Sequence, residues 1–358
     1  MRWALVPLVL GCALRFYLAY DSGELRDDEK FRYLEIAENL RDGHGFAIRG
    51  HPTAQAMPLW PAAVALWPFK PHYLNALLSA LALPLAWLLA RRLAGARVAF
   101  VVLCLMAVDL DQAVLGGSAL TEPLLTVLLL GFALAWSHAR TLPAAVALGL
   151  AVLTRPEALL LPFAFALFLR EWKRPAILLA AVVIAITPWA IRNAVTLRAF
   201  VPFTTMGGVT LRAGMNPEEE KLPFRKRGQS RGMKFRSGIE LAETGTEVAY
   251  SREMAGDAIR YARDNPGSAL TLVAAKAMLL WTPVQRKGTS AVYALAVLAA
   301  LWALIKRVRF RPALVGPMLC VMTFVGLTFL AIPRYRAPYH AYVFLLAAGG
   351  VVRERPAT

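Results

Sequence analysis

The residues that could do chemistry in this chain are a few acids, arginines and one tyrosine set among apolar runs. Asp27, Asp28 and Glu29 open the stretch "DDEKFRYLEIAENLRDGHGF", and Glu122 stands alone in "SALTEPLLTVLL". Arg155 and Glu157 sit in "LTRPEALLLP", Arg192 and Asn193 in "TPWAIRN", and Arg334 and Arg336 flank Tyr335 in "AIPRYRAPY". A carboxylate can take a proton from a hydroxyl or help hold a divalent cation such as Mg²⁺ or Mn²⁺, with Asp28 and Glu122 as candidates. The planar fork of arginine matches the oxygens of a phosphate. Together they suit a site that binds a phosphate and activates a hydroxyl. Each also has a plainer role: Asp28 as a helix N-cap, Glu29 as partner of the helix dipole, Thr121-Glu122-Pro123 as a helix start, and the arginines as interfacial side chains. The chain carries no Walker loop, HExxH, GxSxG or dinucleotide fingerprint.

The elements that must position these residues are membrane helices. Of 358 residues 58% are hydrophobic, and the mean hydropathy is +0.51. Runs such as "LLSALALPLAWLLA" lack the alternation of a barrel strand, so an all-α polytopic membrane protein is expected. The formal charge of +17 lies largely in short loops, where the positive-inside rule accounts for it without nucleic acid. Cys12, Cys104 and Cys320 all fall in apolar segments, so no disulfide framework is expected. The first apolar segment continues beyond Cys12 and reads as an uncleaved helix.

Placing Arg2 in the cytoplasm gives about ten spans, at 3–20, 72–90, 97–115, 120–138, 143–153, 157–169, 175–190, 290–305, 313–331 and 338–352. The basic loops "RRLAGAR", "SHAR", "REWKR", "KRVRFR" and "RER" then all face inward. The chain divides into an N-terminal membrane module (1–200) with a first external loop (21–71), an external and interfacial segment (201–289), and C-terminal membrane helices (290–358). Residues 269–283 are read as lying along the interface. Phe31, Leu34, Ala37 and Leu40 recur every three residues, which predicts an amphipathic helix that Gly43 and Gly45 end.

In order along the chain, the acids before "YLEIAENLRDGHGF", then "PTAQAMPLWP", "LTEPLLTVLLL", "LGLAVLTRPEALLLP", "PWAIRNAV", "GGVTLRAGMNP" and "PRYRAPYH" resemble the GT-C class of polyprenyl-phosphate-dependent membrane glycosyltransferases. The resemblance is to the group holding protein O-mannosyltransferases and the bacterial aminoarabinose transferase of lipid A. It implies a plasma-membrane enzyme, with its site facing outside or the periplasm, that moves a sugar from a polyprenyl phosphate to a glycan, lipid or protein hydroxyl, by an inverting displacement. It further implies Asp28 as general base with Asp27 and Glu29 as rivals, Glu122 as the second acid, and Arg334 and Arg336 near the lipid phosphate. Tyr33, Arg155, Glu157, Arg192, Asn193 and Tyr335 complete the substrate-binding set. The chain is shorter than well-known members, so a separate C-terminal external domain is expected to be missing. A transporter or lipid flippase is the alternative from another class, and it calls for charges at the midplane and an internal repeat. The sequence has no such repeat.

Overall fold

The computed structural model describes residues 2–21, 32–227, 234–281, 291–305 and 312–352. Among these residues the chain is helical apart from one two-stranded antiparallel hairpin, β1 (Ala47–Ile48) and β2 (His51–Pro52). In order, the helices are α1 (Leu5–Asp21), α2 (Tyr33–Arg41), α3 (Leu59–Leu66), α4 (Pro71–Ala107), α5 (Leu110–Gly116) and α6 (Glu122–Ser137). There follow α7 (Thr141–Thr154), α8 (Leu160–Leu169), α9 (Lys173–Thr196), α10 (Met206–Gly214), α11 (Pro217–Lys221) and α12 (Gly238–Glu243). The chain closes with α13 (Glu247–Asp264), α14 (Pro266–Trp281), α15 (Ala291–Ile305), α16 (Pro312–Thr328), α17 (Pro333–Arg336) and α18 (His340–Val351).

Two helices, α4 and α9, are long and apolar enough to cross a membrane, and six shorter apolar helices accompany them. Large side chains such as Leu142, Leu167, Ile184 and Ile305 stand outward at 72–75% exposure. Water is a poor solvent for such a face and lipid a good one, so this is a membrane protein.

α4 is two helices. Gly95 breaks it with φ 86° and ψ 179°, and the chain reverses there. Arg15 of α1 shows the reversal directly. Its Nε donates to Ser79 Oγ at 2.9 Å and its Nη2 to the Met106 carbonyl at 2.8 Å. In a straight helix those two partners would lie about 40 Å apart at about 1.5 Å per residue. One buried guanidinium thus ties α1 to both arms of the reversal and satisfies its donors on carbonyls and a hydroxyl.

The expected span at 97–115 ends instead at Ala107. Asp109 then caps α5, accepting from the Asp111 N–H at 3.2 Å, and this local bond competes with continuation of the helix. The amphipathic helix begins at Tyr33, because Arg32 takes a left-handed conformation (φ 50°) that no helix can run through. Asp28, expected as a helix cap, lies outside the described residues. Glu35 holds that entry, paired to Arg32 and accepting from the Arg49 N–H at 2.8 Å.

α2, α3, the hairpin and α10–α13 pack over one end of the bundle. Trp60, Ile36, Ile48 and Met57 pack with Trp189 of α9, while Val209, Leu241, Tyr250 and Met254 form a separate cluster between α10, α12 and α13. α14 belongs to the same end. Ser268 in its first turn bonds Glu220 of α11 at 2.5 Å, and its last turn offers the Leu279 and Leu280 carbonyls to Arg336 of α17. Lys276 between them caps the end of α16, donating to the Leu327 and Thr328 carbonyls at 3.1 and 3.3 Å.

Candidate active site

Glu122 opens α6, with Pro123 in the first turn, where a missing N–H costs nothing. Its side chain is 1% exposed, a position a lone carboxylate could not hold. Two guanidiniums hold it: Oε1 accepts from Arg155 Nη1 at 2.6 Å and from Arg334 Nε at 2.7 Å. Arg155 stands where Pro156 forces extended backbone (φ −149°, ψ 127°) and so ends α7. It also pairs with Glu157, and its guanidinium lies 4.6 Å from the ring centre of Tyr335. Burial pushes the Tyr335 phenol above its ordinary value, so it stays neutral beside the two arginines. The outcome is a patch of two acids and two arginines from three separate segments, half-buried around a fully buried Glu122.

This patch faces a cavity of about 370 Å³. Tyr33, Gln55, Thr121, Arg155, Glu157 and Arg334 give it a polar wall. Leu160 of α8 and Phe324, Val325 and Phe329 at the end of α16 give it an apolar one. Phe324 is 53% exposed, so the apolar wall reaches the lipid-facing flank of the bundle. Met206, Gly207 and Thr210 of α10 cover the remaining side. A guanidinium carries its N–H donors in a planar fork, the shape that matches phosphate oxygens, and Arg155 and Arg334 both line this cavity.

Five of the site residues expected from sequence, Tyr33, Arg155, Glu157, Arg334 and Tyr335, therefore line one cavity, and Glu122 is bonded to two of them. Arg192 and Asn193 lie apart from it. Arg192 Nη1 donates to the Thr53 carbonyl and Nη2 to the Phe46 carbonyl, both at 2.6 Å, and Asn193 Nδ2 donates to the Val201 carbonyl at 2.9 Å. Arg192 thus fastens the segment between α2 and α3 to α9, and Asn193 fastens the stretch that follows α9 back onto it. Asp27, Asp28 and Glu29 lie outside the described residues.

Arg336 turns to a second buried cluster. Its Nη2 donates to Asp111 Oδ2 at 3.3 Å, and its guanidinium lies 4.2 Å from the ring centre of Tyr293. Beside it, His340 Nδ1 meets Asp109 Oδ2 at 2.7 Å, and the Tyr293 and His340 rings stack at 4.4 Å. One ligand atom from each of Asp109, Asp111 and His340 falls within 4.8 Å of the others, and His340 Nε2 has no partner among the described residues. Two carboxylates and an imidazole are a donor set that fits a divalent cation. Glu122 fits one less well, since two guanidiniums already crowd its carboxylate. Sequence reading missed this cluster by placing Asp109 and Asp111 inside a span. The pair of acids in "VDLDQ" at the end of an apolar run is the signal that could have found it.

No protein-family model matches the chain, and no curated protein matches it by sequence. Solved structures do resemble it. The oligosaccharyltransferase of Archaeoglobus fulgidus in its apo form superposes with a TM-score of 0.55 at 14% identity, over 96% of this chain and 50% of that one. The same archaeal oligosaccharyltransferase AglB, in complex with an inhibitory peptide and a dolichol-phosphate, gives 0.52 at 13% identity over 96% and 50%. The chain thus spans about half the length of the oligosaccharyltransferase it matches. ArnT from Cupriavidus metallidurans bound to undecaprenyl phosphate gives 0.45 at 16% identity over 97% and 78%, too distant a superposition to carry an argument. At these identities the likeness establishes the fold alone, one shared with the archaeal oligosaccharyltransferase.

Proposed function

We propose that this protein is a membrane glycosyltransferase that moves a sugar from a polyprenyl phosphate to an acceptor hydroxyl, by an inverting displacement, at the external or periplasmic face of the plasma membrane. The observation that carries the reading is the cavity itself, lined both by arginines and by apolar side chains that reach the lipid-facing flank. A ligand with a phosphate and a long hydrocarbon tail needs both. The shared fold supports it, since the archaeal oligosaccharyltransferase has been solved with a dolichol-phosphate.

In this reading Arg155 and Arg334 bind the lipid phosphate and stabilise the charge it gains as the anomeric bond breaks. Glu122 holds both guanidiniums at the cavity and acts as a positioning residue. Asp28, with Asp27 and Glu29 as rivals, takes the acceptor's proton. Tyr33 in the cavity wall lies five residues on, a chain length of at most about 18 Å. Asp109, Asp111 and His340 are the residues that would hold a divalent cation. Such an ion, when bound, would neutralise the two buried carboxylates and brace α5 against α18. The acceptor is a glycan, lipid or protein, and the membrane lipids are its solvent.

The test is release of undecaprenyl phosphate from its mannosyl derivative by purified wild type and by Asp27→Asn, Asp28→Asn, Glu29→Gln and Glu122→Gln, with cell-envelope extract as acceptor source. One of the three loop acids should lower turnover by about 100-fold or more with thermal unfolding unchanged. Normal turnover in all four would give the site to a lipid-moving transporter.

A further inference from the structure

Part of the cavity lining is neither arginine nor apolar. Gln55 is 1% exposed and lines the cavity wall. Its amide is fixed from behind: Nε2 donates to the Gly238 carbonyl at 2.7 Å and to Glu247 Oε2 at 3.2 Å. Both partners only accept, so the two hydrogens of the amide are spent on them and the flip state is decided by chemistry. Glu247 is held in turn by the Thr53 hydroxyl at 2.7 Å and the Ala54 N–H at 2.9 Å. What remains is Gln55 Oε1, a buried acceptor with no partner among the described residues. Thr121, also in the cavity wall and 2% exposed, has a hydroxyl in the same condition. It stands next to Glu122, whose Oε2 is likewise unpartnered among the described residues.

Buried polar atoms without partners are costly, so two of them on residues that line one cavity mark a place that a ligand can complete. The type of atom limits that ligand. An amide oxygen and a carboxylate oxygen only accept, which repels phosphate and calls for hydroxyl or ammonium donors. The cavity lining therefore offers guanidinium N–H donors at Arg155 and Arg334, and oxygen acceptors at Gln55 and Thr121. A glycosyl phosphate carries an anion and a set of hydroxyl donors on adjoining atoms, whereas a bare lipid phosphate carries only the first.

We infer that Gln55 and Thr121 are the sugar-reading residues of the cavity, accepting hydrogen bonds from hydroxyl or amino groups of the glycosyl unit while the arginines hold its phosphate. The inference rests on the donor reading above. Gln55 is then a specificity residue, set in place by Gly238 and Glu247 of the external helical layer, and Thr121 adds a hydroxyl that can accept or donate.

Binding of undecaprenyl phosphate, bare or carrying mannose, N-acetylglucosamine or 4-amino-arabinose, to purified wild type, Gln55→Met and Thr121→Val tests this. Wild type should prefer at least one glycosylated lipid to the bare one by about 10-fold or more. Each substitution should cut that preference several-fold and leave the affinity for bare undecaprenyl phosphate unchanged. Thr121 makes no side-chain cap bond, so its valine variant keeps the fold even where Gln55→Met does not. A wild type that binds bare and glycosylated lipids equally, or a preference that survives in Thr121→Val and in any folded Gln55→Met, overturns the inference alone. Failure of wild type to bind any of the four lipids overturns the donor reading with it.

Discussion

Glu122 is buried as an ion with two guanidiniums on one of its oxygens. Its replacement by Gln leaves Arg155 and Arg334 without that charge in a buried place, a loss of about 3–5 kcal/mol for a broken buried pair. Thermal unfolding in detergent should therefore fall clearly for Glu122→Gln, and binding of undecaprenyl phosphate should weaken because the arginines lose their anchor. Arg334→Lys separates geometry from charge. The ammonium keeps the charge but loses the planar fork, so lipid-phosphate affinity should drop about 10-fold while the unfolding temperature changes little. Equal affinity in Arg334→Lys would move the phosphate to another group.

α10 reaches the cavity only because two glycines let it sit close to its neighbours. A Cβ on Gly208 would meet the Ser251 carbonyl of α13 at 1.9 Å, and one on Gly214 would meet the Phe329 carbonyl at 1.7 Å. Neither obstacle is a flexible side-chain end, so Gly208→Ala must shift the backbone of α10, at about 1–3 kcal/mol. Met206, Gly207 and Thr210 would move with it and open that side of the cavity. The expected result is a raised KM for the lipid donor with a modest loss of stability. Gly207→Ala is the control: its Cβ would meet nothing within 4 Å, so stability should hold. At the reversal of α4, Arg15→Met should loosen both arms of the turn. Several carbonyls and the Ser79 hydroxyl lose a buried donor at about 1–3 kcal/mol each, read as a lower unfolding temperature.

For the whole molecule, sidedness follows from loop charge and is open to direct test. With Cys12, Cys104 and Cys320 replaced by Ala, cysteine is introduced at exposed His44, Glu253 or Ala96 in intact cells. An impermeant thiol reagent should label His44→Cys and Glu253→Cys from outside and spare Ala96→Cys beside the Gly95 reversal. The reverse pattern would put the cavity in the cytoplasm, where its proposed acceptors are not exposed. Labelling of all three would break the assumption that the acids, arginines and cavity share one compartment.

The sequence by itself determined the class of molecule and the composition of much of the site. Long apolar runs with basic short loops admit helices in a bilayer and little else, because backbone polar groups in lipid must be satisfied within the segment. Glu122, Arg155, Glu157 and Arg334 were legible for the same reason: a charge beside an apolar run is expensive unless it has a purpose. Which of them meet was decided only by the tertiary structure. Arg192 and Arg336 carry the same local signature as Arg155 and Arg334, yet one fastens a loop to α9 and the other pairs with Asp111. The acceptor atom of Gln55 has no sequence signal at all, since it depends on Gly238 and Glu247, some 180 and 190 residues further on, occupying its amide hydrogens. Spacing along a chain reports which face of a helix a residue takes, whereas the partner across a cavity is set by how helices pack, and local sequence does not encode that.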